Sequence, residues 1–248
     1  MADRMVFDDT MALAAGAATF IVHAAREALQ LRRRFTIALC CGSTPKPVYE
    51  ALAREPHASD VDWSRAVVLF GDERCVPPDD ERSNYRMARD AWFDATGIPE
   101  RNILRMRGED DPAREALRYE RELASLFRTT GPPVIDLVLL GVGANGHTAS
   151  LFPGTAALRV QDRWVVAQYV AVVQSWRLTL TEPVINNARY VAFLVAGAGK
   201  SEIVRNVNAG PFQPDVWPAQ LVRPVHGRLT WLLDADAAAS WNDEAAVP

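Results

Sequence analysis

Two spacings of apolar residues alternate along the chain. Short, nearly unbroken apolar runs recur in "RFTIALC" (34–40), "RAVVLF" (65–70), "VIDLVLL" (134–140), "RYVAFLVA" (189–196) and "GRLTWLLD" (227–234). Runs of this length without polar alternation predict strands covered on both faces. "RWVVAQYV" (163–170) and "WRLTLT" (176–181) predict shorter strands. Between these runs the spacing changes to that of a helix. Leu13, Ala17, Phe20, Ala24 and Ala28 share one helical face, with Asp9 or Thr10 placed to cap it and an end near Arg33. "KPVYEALARE" (46–55), segments near 83–95 and 111–128, "GKSEIVRNV" (199–207) and "ADAAASW" (235–241) predict further helices. Strands alternating with helices predict an α/β fold, a mostly parallel central sheet flanked by helices on both faces. No linker, repeat or low-complexity segment divides residues 1–248, so a single domain is expected.

Composition narrows the partners. With 49% hydrophobic and 23% charged residues, the chain has the make-up of a soluble globular protein. A formal net charge of −4 argues against bulk nucleic-acid binding, so an anionic ligand requires a local cluster of cations. The three cysteines, Cys40, Cys41 and Cys75, show no metal-ligand spacing and predict free thiols in a reducing compartment. "MALAAGAATFIVHAA" follows Asp3, Asp8 and Asp9, the wrong charge for a signal peptide, and is too short to span a bilayer. A cytoplasmic protein with no membrane partner is expected. Of 27 basic residues only Lys46 and Lys200 are lysine, and the two cations are not equivalent at a ligand.

In a parallel α/β sheet, ligands bind beyond the carboxyl ends of the strands. Four such ends carry chemistry. After 34–40, Gly42 permits a tight turn, and Ser43 or Thr44 can cap the helix that Pro45 opens. Their hydroxyls and nearby N–H groups suit a phosphate. After 65–70, "FGDERCVP" offers Arg74 as an anion clamp and Asp72 as an acceptor for sugar hydroxyls or a partner for a histidine. After 134–140, "GVGANGHTASLFPG" brings Gly141, Gly143 and Gly146 close to a ligand and places His147 at the start of a short helical turn. After 189–196, Lys200 follows a glycine turn at a helix start, an anion-binding position. Arg177 is a further cationic candidate. His226 is the rival histidine, whereas His23 and His57 read as structural or surface residues.

The stretches "GSTPKPVYEAL", "FGDERCVPPDDERSNYRMARDAWF", "IDLVLLGVGANGHTASLFPG" and "RYVAFLVAGAGKSEIVRNV" resemble, in order and spacing, the motifs of the 6-phosphogluconolactonases. The resemblance covers most of the chain. It implies a Rossmann-like fold shared with glucosamine-6-phosphate deaminases and ribose-5-phosphate isomerases. It also implies hydrolysis of 6-phosphogluconolactone, a small sugar phosphate, with no metal or organic cofactor. Its mechanism would use His147 as the base, with Asp72 and Asn145 beside it. Oxyanion donors would come from the Gly143–His147 backbone, and the phosphate would be held among Gly42, Ser43, Thr44, Arg74, Arg177 and Lys200. A monomer or weak homodimer is expected. Two positions depart from the family pattern. Cys40-Cys41-Gly42 stands where Ser-Gly-Gly is usual, and Asn145 where an aspartate usually precedes the histidine by two residues. Two alternatives share the fold: an aminosugar-phosphate isomerase or deaminase, and a non-catalytic sugar-phosphate sensor. The deaminases carry a glutamate shortly after the histidine, in a segment reading roughly "HIAFNEP". Here the segment is "HTASLFP".

Overall fold

The strand-length apolar runs lie side by side in the computed structural model, which describes residues 2–241. They form β2 (Phe35–Leu39), β3 (Ala66–Phe70), β5 (Leu137–Leu140), β8 (Tyr190–Val195) and β9 (Arg228–Asp234), with β1 (Asp3–Phe7) at one edge. The order is β1-β9-β8-β5-β2-β3, and every neighbouring pair is parallel. β2, β3 and β5 are buried along their whole length, which explains why they lack polar alternation. The sequence pattern misses β1 because "DRMVF" is short, charged at its start and mostly exposed.

The chain steps from β2 to β3 on one side and later returns to β5 on the other side of β2. The strand order therefore reverses between β2 and β5, and a crevice opens there at the carboxyl ends. The long helix α1 (Thr10–Arg32) packs on β1, β2 and β9. Asp9 caps it, accepting from the Ala12 N–H at 2.7 Å, and Arg33 ends it in the left-handed region at φ 57°. Helices α2 (Pro45–Leu52), α3 (Pro112–Phe127) and α4 (Ser201–Ala209) stand close to their expected places. The segment 84–96 is helical with a π turn at Arg89–Phe93, which carries Trp92 and Phe93 into the core.

The two weaker strand candidates do not join the parallel sheet. β6 (Val165–Val170) and β7 (Ser175–Leu180) pair with β4 (Asp72–Arg74) in a separate antiparallel sheet, order β4-β7-β6. Gly71 links the two sheets: its N–H donates to the Leu39 carbonyl at 2.9 Å, and its own carbonyl accepts from Leu180 N–H at 2.8 Å. A Cβ there would lie 3.3 Å from the Leu39 oxygen, so glycine suits this crossing.

At the opposite, amino end of the sheet, Asp136 joins β2 to the approach to β5. Its buried carboxylate accepts from the Thr36 N–H at 2.9 Å, the Thr36 hydroxyl at 2.8 Å and Arg32 Nε at 2.9 Å. Asp136→Ala leaves buried donors unmatched and is expected to cost about 2–4 kcal/mol. Urea unfolding measures this as a lower midpoint at unchanged slope; an unchanged midpoint would contradict the role.

Candidate active site

The carboxyl ends of β2, β5 and β8 and the strand β4 enclose a cavity of about 330 Å³, within the size range of a small-ligand site. The β2 loop supplies Gly42, Ser43 and Thr44, and β4 supplies Asp72 and Arg74. Gly143 and His147 enter after β5, Arg177 from β7 and Lys200 after β8. Asn145 and Gly146 do not line the cavity. Asn145 is exposed behind the imidazole, and Gly146, at φ +74°, faces Trp217, whose Cα would lie 3.0 Å from an added Cβ.

The histidine loop differs from the expected helical turn. Gly143 N–H donates to the His147 carbonyl at 2.8 Å, and Gly146 N–H to the Gly143 carbonyl at 2.9 Å. Thr148 and Leu151 then form an isolated bridge around Ala149 at φ 46°. These bonds consume the amides of Gly143 and Gly146, so neither of these two is free to serve in the expected oxyanion hole of Gly143–His147 N–H groups. Gly143 serves another end. A Cβ at this position would stand 2.0 Å from His147 Cε1, because the imidazole lies directly against the glycine. Phe152 stacks on the ring with centroids 4.1 Å apart and planes 15° apart.

Asn145 Oδ1 lies 2.5 Å from His147 Nδ1. A side-chain carbonyl only accepts, so Nδ1 carries the proton and Nε2 keeps its lone pair. Burial pushes the imidazole pKa down to about 4; Asp72 opposes the fall, and Lys200, Arg177 and Arg74 add to it. The ring is therefore a neutral base at pH 7.

The cations are arranged to meet an anion. Arg74 and Arg177 are directly opposed across the antiparallel β4–β7 pair, an arrangement that like charges disfavour in the absence of a counter-ion. Arg74 donates to the Arg82 carbonyl at 2.7 Å, Arg177 to the Ser175 hydroxyl at 3.3 Å and Lys200 to the Val142 carbonyl at 2.8 Å. Among the described residues none of the three forms an ion pair with a carboxylate. Burial, then Arg74, lowers the Arg177 pKa, and burial lowers that of Lys200. Ser43 and Thr44 do not cap α2: Thr44 is itself in helical conformation and makes no side-chain cap bond. Lys46, the other lysine, is exposed and paired with Glu50 one turn on.

Asp72 is not hydrogen-bonded to His147. Its Oδ2 accepts from the Ser150 hydroxyl at 2.7 Å, and Asn84 Nδ2 donates to its carbonyl at 2.8 Å and to Oδ1 at 3.3 Å. Asn84, Ser150, Phe152 and Cys41 also line the cavity, and the strand-end reasoning does not reach them. Their signal lay in the quoted motifs: Asn84 in "SN", Ser150 and Phe152 in "TASLFP". The Cys40 thiol is buried and pushed up to about 12, and burial raises that of Cys41 well above its ordinary value. His226 is exposed just before β9, at the amino end of the parallel sheet and away from the cavity. Among the described residues no three His, Cys, Asp or Glu side chains are grouped to hold a metal, and no helix is long and apolar enough to cross a membrane.

Comparison with known proteins agrees with this architecture. A family model described as glucosamine-6-phosphate isomerases/6-phosphogluconolactonase matches residues 8–231. The chain is 46% identical over 214 residues to a 6-phosphogluconolactonase of a Synechocystis species, covering 85% of this chain and 86% of that one. It is 42% identical over 237 residues to a 6-phosphogluconolactonase of a Nostoc species, covering 94% and 96%. The solved 6-phosphogluconolactonase from Trypanosoma cruzi superposes with a TM-score of 0.87 at 30% identity, over 98% of this chain and 97% of that one. This chain belongs to the glucosamine-6-phosphate isomerase/6-phosphogluconolactonase family.

Proposed function

We propose that this chain hydrolyses 6-phospho-D-glucono-1,5-lactone to 6-phospho-D-gluconate, the lactonase step of the oxidative pentose phosphate pathway. One observation carries the reading: a neutral imidazole of fixed tautomer shares its cavity with three cations that form no ion pair among the described residues. The cations and the free hydroxyls of Ser43 and Thr44 bind the phosphate. That anchors the remote end of the sugar and aligns C1 with His147. Nε2 takes a proton from water as the oxygen attacks C1. The carbonyl electrons move onto oxygen to give the tetrahedral intermediate. The C1–O5 bond then breaks, and the imidazolium returns its proton to O5. The new carboxylic acid ionises and releases one proton to solvent. Phe152 stands where a deaminase of this fold carries its glutamate, so the ring-opening chemistry of an aminosugar lacks that carboxylate.

His147→Ala is expected to lower kcat by about 10²–10⁴-fold with an unchanged melting curve. Gly143→Ala should lose about 10²-fold by displacing the ring alone. Both are read as proton release from fresh 6-phosphogluconolactone against an enzyme-free blank, with ammonia release from glucosamine 6-phosphate as the control. Near-normal turnover in His147→Ala would remove the imidazole as base. Arg177→Ala should act chiefly on KM, and a pure kcat defect would place the phosphate elsewhere. Asn145→Asp places a negative charge beside Nδ1, which favours the imidazolium. The acid limb of kcat/KM, expected near pH 4 in the parent, should then move to higher pH, and kcat at neutral pH should rise. An unmoved limb would show that residue 145 does not set the base.

A further inference from the structure

Glu73 takes no part in the steps above, yet it is only 2% exposed and lies on β4 between the cavity-lining Asp72 and Arg74. No cation pairs with it among the described residues. Its carboxylate instead accepts four hydrogen bonds. Oε1 takes the N–H groups of Arg74 at 2.8 Å and Asn84 at 2.7 Å, and Oε2 takes the Tyr85 N–H at 2.8 Å and the Ser83 hydroxyl at 3.2 Å. The Ser83–Tyr85 turn is thus fastened to β4 through one side chain. That turn and the loop before it reach back to the site: Asn84 Nδ2 holds Asp72, and the Arg82 carbonyl holds Arg74.

We infer that Glu73 is a positioning residue for the lactonase reaction: as a carboxylate it clamps the Ser83–Tyr85 turn that sets Asp72 and Arg74 toward substrate, and as a carboxylic acid it loosens that clamp. The inference rests on the lactonase reading. Its physical basis is the count of acceptors. A carboxylate can meet three N–H groups and a hydroxyl at once, whereas a protonated oxygen turns a donor toward one of them. Few charges face it. Asp72 and Arg74 flank it on β4, Cys75 follows on the same segment, Leu178 stands opposite it on β7 with Arg177 next along that strand, and Cys41 lies on the β2 loop. The 83–85 turn presents backbone N–H groups and one hydroxyl. Burial pushes Glu73 up to about 7; the three N–H bonds oppose the rise and Asp72 adds to it. Raising pH through neutrality therefore ionises Glu73 and closes the clamp.

Glu73→Gln keeps the size of the side chain and removes a buried charge, so the fold is expected to hold. The test compares kcat and KM of the two proteins on 6-phosphogluconolactone across neutral pH, with melting curves. Above neutrality the variant should lose about 10- to 100-fold in kcat/KM, mostly in KM. The parent profile should carry an inflection near pH 7 that the variant lacks, while both keep the limb near pH 4. The substrate phosphate, with a second pKa of about 6, titrates in both and cancels in the comparison. Should the variant fail to fold, the backbone amide resonances of Asn84 and Tyr85 in the substrate-free parent decide: a shared midpoint near pH 7 supports the clamp, and flat shifts overturn it. Superimposable profiles with kcat/KM unchanged would also overturn it. Absence of turnover in the parent would remove the lactonase reading and this inference together; turnover with an indifferent Glu73→Gln removes the inference alone.

Discussion

Positive charge that forms no ion pair among the described residues is the condition on which the cavity depends. Arg74 and Arg177 are opposed across two strands, and Lys200 reaches in from a third element to a backbone carbonyl. The folded chain tolerates this repulsion with neutral acceptors, the Arg82 and Val142 carbonyls and the Ser175 hydroxyl. Such acceptors orient cations but leave their charge unspent. The same field has two consequences. It attracts a phosphate, and together with burial it keeps His147 unprotonated. The anchor is an outcome of that field, and the neutral base is an outcome of burial, to which the field adds.

The backbone makes that arrangement possible through close approaches. Gly71 lets the chain leave the parallel sheet and begin the antiparallel one, which carries Arg74 and Arg177 to the cavity rim. Gly143 lets the imidazole lie against the main chain, where Phe152 covers its other face. Asn145 then fixes the tautomer from the solvent side. An amide does this without adding charge, so the base stays weak and neutral.

The parallel sheet, its exposed edge strand β1 apart, was legible because its buried strands are continuous apolar runs, and the four strand ends were legible because glycine and charge follow them abruptly. The antiparallel sheet was not. β6 and β7 are half exposed, and nothing in their composition says which strand they pair with. Pairing partners are long-range facts, so the Arg74–Arg177 opposition could not be read from two arginines a hundred residues apart. The glycines of the histidine loop were expected to free N–H groups for an oxyanion. Their actual use, space for a ring and for Trp217, depends on neighbours that local spacing does not show. Gly146 and Asn145 were accordingly placed in the pocket when they stand behind it. Glu73 was hidden by its own motif, since a charge between two charges reads as surface until the turn that covers it is seen.

The most direct test is a crystal structure of this protein with bound 6-phosphogluconate. The account predicts the phosphate in contact with at least two of Arg74, Arg177 and Lys200, with the C1 carboxylate within hydrogen-bond reach of His147 Nε2. A product whose C1 end points away from the imidazole, or whose phosphate lies outside the three cations, would contradict it.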